Sequence, residues 1–311
     1  MSKMKVMGHF PPDTDTTCSP IVYAWYLSNY KDTPAEAVIG GSLNKETTYV
    51  LNKFEVETPE IISELTENDQ VFIIDTNNPE ELLPGYDKAT ITGLIDHHKL
   101  TGGLSTPNPI PITIKIYGCS ATIVWEEIRY EVKDEAPKWV FGLLLSCIIS
   151  DTLKGASPTT SQDDIDAMNE LAELAGLNLD EYADELFAAK SDLSGMSADD
   201  ILLADSKSYE INGKMVRFSV LETAKPDNVV ALREELITGI NGLKEKDNTD
   251  FIFMFAIDII KEEATAIVAT DEEKEIISKA FDANYTGDTV ILPGVVSRKK
   301  QIIPSIEPLI S

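Results

Sequence analysis

Imidazole is scarce in this 311-residue chain, with three histidines, and each of them sits inside a short acidic motif. Thiols are equally few. Cys18, Cys119 and Cys147 form no CxxC pair, which argues against a structural zinc site, and their irregular spacing argues against a disulfide framework and for a reducing compartment. Positive charge is the third shortage: 26 Lys and Arg stand against 53 Asp and Glu, a formal charge of -27. A nucleic-acid surface depends on clustered Lys and Arg, so a long polyanionic partner is not expected. A small polyanion remains open, because divalent cations on a carboxylate cluster and a few concentrated basic residues supply local positive charge. Most of the remaining acidity reads as solubility. No apolar run approaches bilayer length, and Met1 to Val6 leads into a motif rather than a signal-peptide core. The chain is therefore expected to be soluble and cytoplasmic, with no membrane partner.

The histidines lie in Gly8-His9-Phe10-Pro11-Pro12-Asp13-Thr14-Asp15 and in Asp96-His97-His98. Neutral imidazole with several carboxylates suits borderline-hard divalent ions such as manganese, cobalt or magnesium. One His beside one Asp is commonly an ordinary hydrogen-bonded residue, but two such motifs after strand-like runs point to metal.

The chain exceeds the size at which single cores stop growing, so two domains are expected. Lys3 to Met7 is apolar-leaning. Val71 to Ile74 ends in Asp75, and Ile91 to Ile95 ends in Asp96-His97-His98, each a buried strand with a polar tip. Ser19-Pro20 reads as a helix start opening Ile21 to Leu27. Helical segments are expected near 45–54, 120–131 and 137–150, which with the strands gives a mainly parallel, doubly wound α/β sheet. In such sheets ligands gather at the carboxyl ends of strands, so His9, Asp13, Asp15, Asp75, His97 and His98 can converge. Asp151 ends another apolar element, where a metal ligand and a solvated helix end are equally consistent with the residues.

Residues 161–190 read as helical and acidic, with Gly176 a stop, and 191–196 as a flexible linker. Domains are thus expected at 1–190 and 197–311. Beyond the linker the pattern is a smaller mixed α/β domain: a hairpin at Asn212-Gly213, strands at 251–260 and 265–269, and helices at 227–241 and 272–281. The three tryptophans read as core or rim. The basic cluster Arg298-Lys299-Lys300 stands out in so acidic a chain, and a functional patch and an ordinary surface patch are both open.

Taken together, GHFPPDTD at 8–15, Asp75, IDHH at 95–98, GCSATIV at 118–124, SDT at 150–152 with SPT at 157–159, and LPGVVSRKKQ at 292–301 resemble the family II, manganese-dependent inorganic pyrophosphatases of the DHH phosphoesterase superfamily. The resemblance covers essentially the whole chain. It implies a metal-binding N-terminal domain, a smaller phosphate-binding C-terminal domain and an active site in the cleft between them. It also implies a soluble homodimer, formed through an N-terminal edge strand, that hydrolyses pyrophosphate to two phosphates.

By motif, the resemblance implies that His9, Asp13, Asp75 and Asp151 ligate one ion and that Asp15, Asp75 and His97 ligate a second, with Asp75 shared. His98, Lys207, Arg298 and Lys299 would contact the phosphates. The cofactors implied are two Mn2+ or Co2+ ions per site, with further Mg2+ arriving with substrate. Two such ions generate hydroxide from a bridging water near neutral pH and orient it for in-line attack, while positive groups offset the charge that phosphoryl transfer spreads over the equatorial oxygens.

The chain departs from the family pattern at Pro12, usually Asn, unless the Pro11-Pro12 loop is aligned one residue differently, at Thr76, usually His, and over Leu153 to Ala156. The spacing of the ligand residues survives all three. The alternative within the superfamily is an exopolyphosphatase or another DHH-type phosphoesterase. A nuclease is disfavoured, since no histidine follows His98. A purely regulatory protein is disfavoured because every mapped position is filled, and 311 residues leave no room for the inserted nucleotide-binding CBS pair of regulated members.

Overall fold

Two apolar runs ending in acidic tips form neighbouring strands of one sheet. In the computed structural model, which describes residues 3–285 and 287–310, the chain divides into one unit up to Ala189 and another from Lys190.

The first unit contains β1 (Met4–Met7), α1 (Thr14–Tyr30), β2 (Ala35–Ile39), α2 (Lys45–Lys53), β3 (Glu60–Ile61), β4 (Gln70–Ile74), β5 (Thr90–Asp96), β6 (Ile112–Ile114), α3 (Ser120–Val132), α4 (Lys138–Thr152), α5 (Gln162–Ala175) and α6 (Leu179–Lys190). The strands run in the order β3-β2-β1-β4-β5-β6, and every pairing is parallel. Val71 to Ile74 are all buried, as a strand covered on both faces requires. Chain order reverses on either side of β1, which makes the carboxyl ends of β1 and β4 the switch point where such sheets open a crevice.

Helix α1 begins earlier than the Ser19-Pro20 signal predicts. Asp13 is its N-cap, accepting from the Thr16 backbone N–H at 2.9 Å, and Pro20 lies inside the helix. The Ser19 hydroxyl instead donates to Asp15, one turn back. Helix α4 is apolar nearly all round, with Val140 to Ser150 buried without a break. Gly176 ends α5 in the left-handed region, as expected. The short strands β2, β3 and β6 had no signal strong enough to assign.

The second unit contains α7 (Ala198–Leu203), β7 (Ser206–Ile211), β8 (Lys214–Thr223), α8 (Pro226–Ala231), α9 (Arg233–Asp247), β9 (Phe251–Asp258), β10 (Glu263–Ile267), α10 (Asp271–Phe281) and β11 (Thr289–Pro293), followed by a π-helical turn over Arg298–Ile302, an α-helical turn, Ile303–Ile306, and a 3-10 turn, Glu307–Leu309. Its sheet runs β11-β10-β9-β8-β7, with β8 and β9 parallel and the other pairs antiparallel. Asn212 and Gly213 both take positive φ, as a tight hairpin turn demands, and Ile211 pairs with Lys214. The expected helix over 227–241 is two helices broken at Leu232, and α7, capped by Ser197, was not anticipated. Strand β9 is buried along its whole length, with a phenylalanine-rich cluster on one face and an aliphatic one on the other. The architecture is the expected α/β one, a parallel sheet followed by a second, mixed sheet.

Candidate functional site

The loop leaving β1 can turn sharply because residue 8 is glycine: a Cβ there would lie 2.6 Å from the Ile74 carbonyl oxygen and 2.9 Å from the Thr16 side chain. His9 follows. Its Nδ1 lies 2.7 Å from the Pro11 carbonyl, so the N–H belongs there, and Nε2 is left 3.5 Å from Asp13 Oδ2 and 3.6 Å from Asp75 Oδ2. Burial pulls the His9 pKa down, but Asp13, Asp75 and the carbonyl together raise it to about 9.

Asp15 lies in the first turn of α1, where the helix dipole favours a carboxylate. It is fully buried and accepts from the Ser120 backbone N–H at 2.8 Å, from the Cys119 thiol at 3.2 Å and from the Ser19 hydroxyl. Burial, and then the charge of Asp75, push Asp15 up to about 7.

Asp75 ends β4 with φ at +73°, a left-handed turn that tips its side chain off the strand. Its Oδ2 accepts from Thr16 Oγ1 at 2.9 Å and its Oδ1 from Ser120 Oγ at 3.0 Å. His97, just past β5, repeats the arrangement of His9: Nδ1 lies 3.1 Å from the Tyr117 carbonyl and Nε2 lies 3.3 Å from Asp75 Oδ1. Burial opposes protonation of His97, and Asp75 and Asp15 overcome it, raising its pKa to about 9. Asp151, in the last turn of α4, is pushed well above the carboxylate range by burial and then by Asp15, Asp13 and Asp75.

Ligand-type atoms gather within 4.8 Å of one another in three groups: His9, Asp13 and Asp75; Asp15, His97 and Asp151; and Asp75, His97 and His98. The resemblance implies that Asp151 joins His9 and Asp13; among the described residues its ligand-type atom groups with those of Asp15 and His97. The cause is helix packing, since the Cys147 thiol of α4 reaches the Thr14 carbonyl at 3.5 Å and brings the end of α4 under the first turn of α1.

The donor set fits hard divalent cations. His9 and His97 both have Nδ1 tied to a backbone carbonyl, the second contact that metal-bound imidazoles normally make. Donor atoms ~2.1 Å from an ion and at right angles to each other lie ~3 Å apart. The 3.3 to 3.6 Å separations around Asp75 therefore close onto ions with small side-chain shifts. Carboxylates raised by burial and mutual repulsion are what bound cations relieve.

Several supporting residues carried no distinct signal. Thr16 and Ser120 look like ordinary first-turn helix residues, yet each grips one oxygen of Asp75. Glu46 reads as surface on a polar helix, but it is buried and accepts from Thr14 Oγ1 and Ser150 Oγ, each at 2.9 Å.

In the second unit, Arg298 opens the π-helical turn and donates through Nη1 to the Asp205 carbonyl at 3.0 Å and the Asp205 carboxylate at 2.9 Å. Asp205 is two residues before Lys207, so the two expected phosphate contacts share one corner of this unit. Gln301 ties the preceding loop, accepting from the backbone N–H groups of Val296 and Ser297 at 2.9 Å each and donating to the Gly294 carbonyl at 2.7 Å. Lys207 and Lys299 are exposed.

Residues 3–148 match the N-terminal domain of the DHH family, and residues 184–309 match the DHHA2 domain. A Lactobacillus gasseri protein named "Probable manganese-dependent inorganic pyrophosphatase" is 34% identical over 309 residues, covering 98% of each chain. A Shouchella clausii protein of the same name is 36% identical, covering 100% of this chain and 99% of its own. Among solved structures, a Methanococcus jannaschii protein assigned to the family II inorganic pyrophosphatases superposes with a TM-score of 0.64 at 33% identity, covering 98% of this chain and 99% of that one.

Proposed function

Because the chain belongs to the family of manganese-dependent inorganic pyrophosphatases, we propose that it hydrolyses pyrophosphate to two phosphates at the cluster around Asp75. One observation in the geometry carries this reading: the two oxygens of the Asp75 carboxylate face different imidazoles, Oδ2 toward His9 and Oδ1 toward His97. A carboxylate divided in this way suits a pair of ions. His9, Asp13 and Asp75 would hold one, and Asp15, His97 and Asp151, together with Asp75, would hold the second. When bound, such ions supply Lewis acidity, lower the pKa of water and offset the charge of the substrate. Manganese is the ion in the relatives' names, cobalt offers the same ligand preferences, and magnesium arriving with substrate completes the charge balance.

The remaining work falls to the side chains. Arg298, whose Nη1 is held by Asp205, carries a planar fork matched to phosphate oxygens, while Lys299 and Lys207 act as point charges. His98 offers its Nε2 to a further oxygen. Ser120 and Thr16 hold Asp75 so that its two oxygens keep their separate directions. These groups offset the charge that phosphoryl transfer spreads over the equatorial oxygens.

A homodimer joined at β6 completes the proposal. That edge strand and its flanks expose Ile112, Ile116 and Leu100, and an open edge is a ready surface for a second copy. The three cysteines are free and buried, in keeping with a reducing cytoplasm. No described helix is long and apolar enough to cross a membrane. The net charge of -27 disfavours nucleic acid.

The test is phosphate release by metal-stripped protein reloaded separately with manganese, cobalt, magnesium and zinc, on pyrophosphate and on longer polyphosphates. Fastest turnover of pyrophosphate with manganese or cobalt is expected. A preference for longer chains by more than about tenfold in kcat/KM would make the chain an exopolyphosphatase instead.

A further inference from the structure

The hydrogen bonds around His98 end in two residues outside the ligand clusters, Asp96 and Asn77. Asp96 is wholly buried. Its Oδ1 accepts from the backbone N–H of His98 at 3.0 Å and from the ring Nδ1 at 2.9 Å. Its Oδ2 accepts from Asn77 Nδ2 at 2.5 Å. The Asn77 amide is itself fully engaged, donating to the Lys99 carbonyl at 3.0 Å and accepting from the Thr101 backbone N–H at 2.9 Å. The run from Asp96 to Thr101 is thereby laced to the turn that follows Asp75.

Among the described residues, neither Asp96 nor Asn77 belongs to a ligand group, so metal binding does not account for this network. Its geometric effect falls on His98. With Nδ1 held by a carboxylate that is itself fixed, the ring has one orientation, and Nε2 is the nitrogen presented outward from a side chain that is half exposed. Asn77 stands two residues after Asp75, so the turn that presents the shared carboxylate also fixes the imidazole. A misplacement of ~1 Å in such a contact can cost about 100-fold in rate.

We infer that Asp96, braced by Asn77, is a positioning residue for the pyrophosphate reaction: it fixes the His98 imidazole so that Nε2 meets a phosphate oxygen. This rests on the reading of His98 as a substrate contact. Asp96→Asn is the natural probe, because an amide of the same shape cannot accept from both His98 and Asn77.

The experiment uses the full chain reloaded with manganese and compares kcat and KM for pyrophosphate in the unmodified protein, Asp96→Asn, His98→Gln and the double variant, with manganese affinity measured calorimetrically in each. Asp96→Asn is expected to lower kcat by about 10–100-fold, with KM and manganese affinity changed by less than about threefold. In the His98→Gln background the same change is expected to cost less than about twofold, because the residue it positions is gone. Asn77→Ala should show a smaller loss with the same dependence on His98, and it carries the test if Asp96→Asn does not fold. An undiminished loss in the His98→Gln background, a loss explained by weaker manganese binding, or an indifferent His98→Gln variant overturns the inference. If the unmodified protein does not hydrolyse pyrophosphate, the functional reading fails and takes this one with it. An active enzyme with additive substitutions defeats this inference alone.

Discussion

Nε2 of His97 stands 3.3 Å from Oδ1 of Asp75, while the opposite oxygen of that carboxylate faces His9. If the carboxylate serves both ligand groups, Asp75→Asn weakens two ions at once. Its loss of activity should exceed the about 10–100-fold typical of removing a mere supporting partner. Steady-state kinetics with manganese titration measure it, and near-normal turnover with intact affinity would show that Asp75 is not shared.

Ser120 and Thr16 each hold one Asp75 oxygen without belonging to a ligand group themselves. Ser120→Ala and Thr16→Val should therefore weaken manganese binding by about 10-fold each, with Thr16→Ser close to the parent protein. Calorimetric titration of metal-stripped protein decides the matter. Unchanged affinity in both would mean that the carboxylate holds its position unaided.

Arg298→Ala should leave manganese affinity untouched and lower kcat/KM for pyrophosphate by about 10–100-fold, the worth of a charge-assisted hydrogen bond of ~1.5–3 kcal/mol. Arg298→Lys should recover only part of that, since a point charge replaces a fork. Unaltered kcat/KM in the alanine variant would exclude the guanidinium from substrate binding.

The pH dependence of metal binding follows from the two raised imidazoles. In the metal-free protein His9 and His97 have pKa values of about 9, so both carry a proton at neutral pH, and a cation must displace it to reach Nε2. Affinity should then climb from neutral pH and level off above about pH 9, with proton release accompanying binding. Calorimetry in buffers of different ionisation enthalpy reads the released protons directly. A flat affinity over that range, with no proton release, would refute the assignment.

The candidate ligands were legible because imidazole is rare here and each histidine lies next to carboxylates at the end of an apolar run. Asp13 shows the limit of that reading. It was visible as a candidate ligand but not as the cap of α1, because Ser19-Pro20 imitates a helix start six residues downstream, and only the folded chain shows the Ser19 hydroxyl engaged with Asp15. Asp151 was ambiguous because its group depends on how α4 packs against α1, a relation between elements more than a hundred residues apart. Glu46 was invisible for the same reason: its burial comes from Thr14 and Ser150, not from its own helix. The Arg298 cluster had two equal readings from its residues, and family resemblance, not periodicity, separated them. The single helix expected over 227–241 failed at Leu232, where nothing in the local residues announces a break.

Helix α4 is walled in along nearly its full length and carries Asp151 at its end. An element confined on every side has no soft direction in which to yield. A close-packed interior has little slack, so trimming Leu144, far from the carboxylate, is expected to shift Asp151, with the hydrophobic core acting as a gauge block for the spacing of the candidate ligands.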